Sequence, residues 1–395
     1  MTDPRRPMAS EVADRAVAMA LEAGATQAEA VVVDGASALT RFANNELHQS
    51  VAEDGVTINL RFVDGQRIGV ASGNTLDDDA LRRLAATAAE TARHQPEQEW
   101  FRSLPEPGPV PLVDGAWAQG TAEADPDLRA DAAAAIIGAA RAVEAQAFGM
   151  VETTSETIAV VNSLGVDVNE QRSRSHVLTV MMGPGGGTGY ADQVAVDFGA
   201  IDASALGREA AERTAAMKDP IELPAGDYPV VLDHYAAMDI ALWLGFVGFN
   251  AQEVLERQSF FEPGKVVASP LVNLADDGTD TDGTPASFDY EGVAKRRVPL
   301  IEAGVCREVV HDSKTAAAAG VASTGHALPA PNPWGPFPFN MSMAAGETSR
   351  EELIGGLERG LLVTRFHYTN AVHPKPVSYT HLTLPTNRVA GGGGG

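Results

Sequence analysis

Residues Asp276 to Gly320 read DDGTDTDGTPASFDYEGVAKRRVPLIEAGVCREVVHDSKTAAAAG, and this stretch decides the fold. Asp276-Asp277-Gly278 and Asp282-Gly283-Thr284-Pro285 have the composition of turns or a mobile loop, because Asp bonds its own backbone, Gly accepts positive φ and Pro presets φ. Leu300 to Ala303 and Val305 to Val310 then flank Gly304 as the two arms of a hairpin. The acids Asp276, Asp277, Asp280 and Asp282 lack the spaced ligands and closing glutamate of an EF-hand, so the default is a solvated turn. Cys306 falls in the second arm and is read as a small core residue, since no histidine partner that would activate a thiolate is visible.

Outward from this stretch the chain changes character. Val56, Ile58, Leu60 and Phe62 alternate with polar residues, the period of a half-buried strand, and Asp64-Gly65 turns the chain back into Ile68 to Ala71. Val31 to Val33 adds a short apolar run. Helices are expected from Ser10, as N-cap, to about Ala23 and from about Asp77 to His94, the latter with acids at its start and basic residues at its end. An alanine-rich helix is expected from Pro126 to about Ala147, and another from Ala203 to Met217. These signals divide the chain into an N-terminal α/β region (1–94), a proline-rich linker or surface loop (95–120) and a middle region completing the N-terminal domain (121–220). A β-rich C-terminal domain follows (221–375). From about Pro376 the string Val-Ser-Tyr-Thr-His-Leu-Thr-Leu-Pro-Thr-Asn and the five closing glycines read as non-native sequence, so 376–395 is set apart.

Composition narrows the function. The 395 residues are long enough for two cores, and 44% hydrophobic with 21% charged residues is ordinary for a globular protein. A formal net charge of −24 argues against nucleic acid and anionic membrane surfaces and would attract a basic peptide. One cysteine permits no internal disulfide and no multi-cysteine zinc site, which suits a reducing compartment. Neither a signal peptide nor a run of about 18 apolar residues is visible, and a cytoplasmic location is expected.

The order of these pieces resembles the TldD/TldE (PmbA) family. The turn, the Glu291-Gly292 step, the Leu300-Ile301-Glu302 hairpin and the helix after it match the family's pattern. So do Ser323-Thr324-Gly325-His326, Arg41 to Glu46, and Gly55-Val56. The resemblance implies an α+β chain of two domains, an N-terminal α/β domain with a mainly antiparallel sheet and a β-rich C-terminal domain. It implies a cytosolic complex of TldD-like and TldE-like subunits that degrades peptides and small unfolded proteins. In TldD-like subunits zinc is held by an H-E-x-x-x-H segment and a later cysteine; TldE-like subunits lack that set.

Where that segment would fall, this chain reads His-Tyr-Ala-Ala-Met-Asp, His234 to Asp239. Zinc hydrolysis needs three protein ligands, an open position for water and a general base. Tyr235 stands in the base position, and a phenol with a pKa near 10 cannot act there as a carboxylate would. Asp239 stands in the second ligand position and can bind zinc, but residues five apart on an α-helix point about 140° apart. Convergence would need a bulge. His234 is therefore read first as a helix-entry residue, with a residual metal site at His234 and Asp239 as the other reading. The degenerate positions His234, Tyr235 and Asp239 imply a TldE-like subunit without its own zinc, paired with a zinc-bearing TldD-like partner. A stand-alone peptide-binding protein and a weak self-sufficient metallopeptidase using His234 and Asp239 remain alternatives.

Other features carry less. The glycine run from Gly183 to Gly189 fails the dinucleotide and P-loop spacings and is read as a flexible loop between strands. No G-x-S-x-G elbow is present. His311, His326, His367 and His373 lie on different elements, though two could meet in space. Trp243, Phe246 and Phe249 are read as core, with a partner interface as the second option.

Overall fold

The alternating run Val56 to Phe62 is part of a much longer strand in the computed structural model, which describes residues 6–370. Helix α1 (Arg6–Glu22) leads into strands β1 (Gln27–Ala43), β2 (Glu46–Asp64) and β3 (Arg67–Gly73), and α2 (Asp78–His94) closes the unit. After a loop and the single turn α3 (Gln119–Ala122), the same order returns as α4 (Pro126–Ala142), β4 (Gln146–Asn162), β5 (Asp167–Met182), β6 (Thr188–Ala195) and α5 (Ala203–Ala216). The strands form one antiparallel sheet in the order β3-β2-β1-β4-β5-β6. Two αβββα units thus lie back to back. Their seam is β1 against β4, in unbroken register from Glu29↔Asn162 to Phe42↔Gly149.

Side chains alternate across this sheet, so each face has its own cover. One face sets Ala30, Val32, Leu60 and Phe62 against α1 and α2, and Phe42, Val151, Val177 and Ala191 against α4 and α5. The outer helices approach closely at two glycines. A Cβ on Gly69 would stand 2.0 Å from the Ala88 carbonyl oxygen of α2, and one on Gly189 would stand 1.9 Å from the Ala210 carbonyl oxygen of α5. The run from Gly183 joins β5 to β6 and belongs to the same packing. A Cβ on Gly187 would stand 2.7 Å from the carbonyl oxygens of Met217 and Thr214. Those glycines serve close approach to α5.

The other face carries Val31, Ile158 and Val160 and is covered by the C-terminal part through Phe288. That part runs β7 (Val230–Leu232), α6 (His234–Trp243), α7 (Ala251–Leu255), β8 (Leu274–Asp277), β9 (Arg297–Glu302), β10 (Val305–Cys306), α8 (Ser313–Ala319), β11 (Met341–Met343), α9 (Arg350–Gly355) and β12 (Leu361–Val363). Its strands make a sheet in the order β10-β9-β8-β11 and a parallel β12-β7 pair. The hairpin at Gly304 forms as its residues dictate, with positive φ at Ala303 (47°) and Gly304 (77°). Cys306 is buried in its second arm. The chain is an α+β protein, and no described helix is long and apolar enough to cross a membrane.

Three local expectations shift. The first helix begins at Arg6, so Ser10 lies inside it, and the Ser10 hydroxyl instead accepts from Asn169 Nδ2 at 3.1 Å. The alanine-rich helix stops at Ala142, because Glu144 turns to φ 57° and Gln146 and Ala147 are claimed by β4. There the Asn45 amide takes Ala147 N at 2.8 Å and donates to Ala145 O at 2.9 Å. The proline-rich stretch is strapped down: Phe101 and Leu104 are buried against Val63, and Val113 N donates to Ser287 Oγ at 2.8 Å. The stretch 376–395 read as non-native, like His373, lies outside the described residues.

A charge cluster fastens the C-terminal part to the sheet. Arg61 on β2 lies across from Glu29 on β1, with Nε 3.3 Å from Glu29 Oε1 and Nη1 2.9 Å from Glu291 Oε1. Glu291 Oε2 accepts from Ser313 N at the start of α8, at 2.9 Å. Glu29 Oε2 has no hydrogen-bond partner, and burial pushes this carboxyl up to about 8 despite Arg61. Burial and then Glu291 push neighbouring Asp289 up to about 7.

Candidate functional site at the entry of α6

Asp233 begins the site. It caps α6, accepting from His234 N at 3.1 Å. It is 5% exposed, and two arginines hold it: Arg213 of α5 at 3.0 Å and Arg350 of α9 at 2.8 Å. The Arg350 guanidinium holds the Asp233 carboxyl well below the usual carboxylate range, outweighing the effect of burial. Three separate elements therefore meet at one carboxylate.

His234 stands at the rim with its side chain 60% exposed, Nδ1 3.2 Å from Asp233 Oδ1 and Nε2 3.8 Å from Glu209 Oε1. Tyr235 is turned inward. Its hydroxyl accepts from Asp192 N at 2.8 Å and donates to Asp192 O at 3.1 Å. Its ring meets Tyr190 edge-on at 5.0 Å and carries the Arg213 guanidinium over it at 4.9 Å. Burial pushes the Tyr235 phenol up, away from any basic role. The Asp192 side chain is itself bound by His176 Nε2 and by the Tyr190 hydroxyl, each at 2.8 Å.

Asp239 lies one and a half turns further along α6. Burial pushes its carboxyl up, and Arg365 together with Phe366 N pulls it down in part. A wide π turn does occur on this helix, but at Leu244–Gly248, beyond Asp239. The residues from His234 to Asp239 keep α-helical spacing, so nothing swings Asp239 round to meet His234. No group of three His, Cys, Asp or Glu side chains able to hold a metal occurs among the described residues. These residues do not fit a zinc ion: the Asp233 carboxylate beside the histidine is taken by two arginines, the base position is a phenol bound to the sheet, and Asp239 belongs to another set of contacts.

Sequence reasoning missed Arg213, Arg350, Asp192 and Arg365, which come from distant elements and carry no local motif. Arg365 stacks on Tyr190 at 3.7 Å. Of the scattered histidines, two are linked through Thr324, whose Oγ1 donates to the His311 backbone carbonyl at 3.0 Å and contacts His326 Nδ1 at 2.9 Å. Burial lowers the His311 imidazole to about 4. Phe249 is buried core as expected, whereas Phe246 packs between Trp243, Phe337 and the 58% exposed Trp334.

Tyr235→Phe is expected to lower stability by about 1–2 kcal/mol, because the half-buried Asp192 N–H loses its acceptor. Urea unfolding followed by far-UV circular dichroism measures this, and an unchanged midpoint would show that the hydroxyl does not fasten α6 to β6.

A helix-backed antiparallel sheet joined to a second, β-rich part is an architecture already seen in solved structures. TldE from Thermococcus kodakarensis superposes with a TM-score of 0.82 at 21% identity, over 91% of this chain and 83% of that one. A protein from Thermotoga maritima described as a modulator of DNA gyrase gives 0.80 at 21% identity, over 90% and 82%. One from Bacteroides thetaiotaomicron with the same description gives 0.75 at 19% identity, over 91% and 82%. The chain belongs to the PmbA/TldD family: its sequence matches the PmbA/TldA metallopeptidase domain 1 over residues 28–92, the central domain over 121–218 and the C-terminal domain over 225–390. The last match includes most of the stretch beyond Pro376. Comparison with curated protein sequences gives no match.

Proposed function

We propose that this chain is the TldE-like, non-catalytic subunit of a cytoplasmic metalloprotease that acts on peptides and small unfolded proteins, paired with a zinc-bearing TldD-like subunit. One observation carries the reading. At the position of the zinc segment, the residue that should be a free general base is Tyr235, with both hydrogen-bonding capacities of its hydroxyl committed to the Asp192 backbone. A group so bound neither takes a proton from water nor frees α6 to rearrange around a metal. The outer surface of the same helix exposes Met238 (57%) and Leu242 (46%), an apolar face suited to a second subunit.

The test is zinc content and peptide hydrolysis with and without a TldD-like chain. The isolated chain is expected to hold well under about one zinc per ten molecules, since its site lacks the three ligands a zinc needs. Hydrolysis is expected only when the second subunit is added. Stoichiometric zinc in the isolated chain, with hydrolysis that EDTA abolishes, would overturn the reading in favour of a self-sufficient metallopeptidase.

A further inference from the structure

A cavity of about 420 Å³ lies between the sheet and the C-terminal part, and none of the α6 entry residues lines it. Its size is that of a small-molecule or short-peptide site. One wall is the open sheet face, where Glu156 on β4 stands opposite Arg172 on β5 in the strand register. The other wall is aromatic, with Phe288, Tyr290, Phe337 and Phe339.

The polar groups of this cavity divide into those already used and those that are not. The cations are used. Arg172 donates from Nε to Glu170 at 2.6 Å and from Nη2 to Phe288 O at 2.7 Å. Arg174 pairs with Glu152 at 2.8 Å, and Lys295 Nζ donates to Gly325 O at 2.9 Å. Two of the unused groups are acceptors. Glu156 makes no hydrogen bond or ion pair among the described residues. His326 is 1% exposed, and its Nδ1 faces Thr324 O at 2.8 Å. That contact makes Nδ1 the donor and leaves Nε2 with a lone pair. Nε2 lies 3.5 Å from Asp276 and makes no hydrogen bond.

Sequence keeps the carboxylate open. Beside Glu156 on the same row of the sheet stand Gly35 and Gly55, so no neighbouring side chain covers its flank. A Cβ on Gly35 would lie 2.7 Å from the Glu156 Cβ. Burial pushes the Glu156 carboxyl up, with Arg172 and Arg174 offsetting this only in part, as expected of an acid without a bound counter-cation.

We propose that this cavity binds a primary ammonium on an apolar body, the N-terminus of a short apolar peptide, with the ammonium on Glu156 and the first side chain against Phe288, Phe337 and Phe339. Aromatic faces and one unpaired carboxylate are what such a group requires. The site goes beyond the subunit reading and does not depend on it, since it needs only this chain.

The experiment is isothermal titration of the isolated chain at pH 7 with L-leucyl-L-phenylalaninamide, its N-acetyl derivative and 2-phenylethylamine. Saturable one-to-one binding of the free-amine dipeptide is expected, weakened about tenfold or more by acetylation and to the same degree by Glu156→Gln. Equal affinity for 2-phenylethylamine would show that the ammonium and one apolar group suffice; weaker binding would show that the peptide body adds contacts. No saturable binding up to about 10 mM overturns the proposal, as does equal binding of the acetylated peptide. Undiminished binding by a Glu156→Gln chain with an unchanged circular dichroism spectrum also overturns it. Should that variant fail to fold, the acetylation comparison on the unaltered chain decides. Zinc content and partner-dependent hydrolysis are separate readouts, so the two readings can fail independently.

Discussion

Arg61→Leu is expected to lower the unfolding free energy by about 3–5 kcal/mol, the cost of breaking a buried ion cluster from one side. Arg61 is the cation between Glu29 and Glu291, and it lies where the sheet meets the C-terminal part. Without it, Glu29, Glu291 and Asp289 would be left as neighbouring buried acids. Thermal unfolding at pH 7 measures the effect, and a midpoint within about a degree of the parent would show that the cluster does not hold the two parts together. Glu29→Gln should behave in the opposite way. The Glu29 carboxyl is pushed up to about 8 in the folded chain, so folding favours its protonated form. Its penalty is absent below the ordinary carboxylate range, near pH 4, grows as pH rises and is complete above about 8. The glutamine variant removes that penalty and is expected to flatten the fall in stability between pH 5 and 8. A parallel pH profile for the two chains would contradict this.

The second large effect is expected at Gly69. Valine suits a strand by propensity, yet Gly69→Val should cost about 3 kcal/mol or more, because even its Cβ would meet the α2 backbone. The obstacle is the Ala88 carbonyl at 2.0 Å and the Ala92 nitrogen at 2.4 Å, neither of which can turn aside as a side chain can. Gly73 on the same strand is the control. A Cβ there would meet Leu84 Cδ1 at 3.5 Å and Ile58 Cγ2 at 3.9 Å, ordinary contacts, so Gly73→Ala should fall within about 0.5 kcal/mol of the parent. Urea midpoints of the two variants separate the cases. Equal losses would mean that backbone freedom in β3, and not the approach of α2, explains both glycines.

The sequence made the local pieces of the fold legible where hydrophobic period and turn chemistry agree. The helix expected from about Asp77 does start on acids, with Asp78 and Asp79 in the first turn of α2 and Asp77 as its cap, and Asp64-Gly65 returns β2 into β3. It understated the strands. Val31 to Val33 was visible as three apolar residues, while β1 runs from Gln27 to Ala43, because its later half is mostly small and polar residues paired to other strands, with Phe42 packed into the core under α4 and α5. The doubling of the αβββα unit has no repeated motif to announce it and appears only in the order of elements. At the site, His234, Tyr235 and Asp239 were legible because they occupy one local segment. Arg213, Arg350 and Asp192 were not, since their meeting at Asp233 and Tyr235 depends on how three distant elements fold. Glu156 was equally hidden: nothing local distinguishes a glutamate left unpaired from one that is solvated.

The seam between β1 and β4 sets a constraint in time. Synthesis at about 5–20 residues per second puts roughly ten seconds between the emergence of β1 and that of β4. Through that interval the first unit carries a strand of 17 residues whose outward backbone amides and carbonyls have no partner. Such an edge recruits any strand offered to it, including the same edge on another nascent chain. The most hazardous moment for this protein is therefore on the ribosome, and what ends it is the arrival of its own second half.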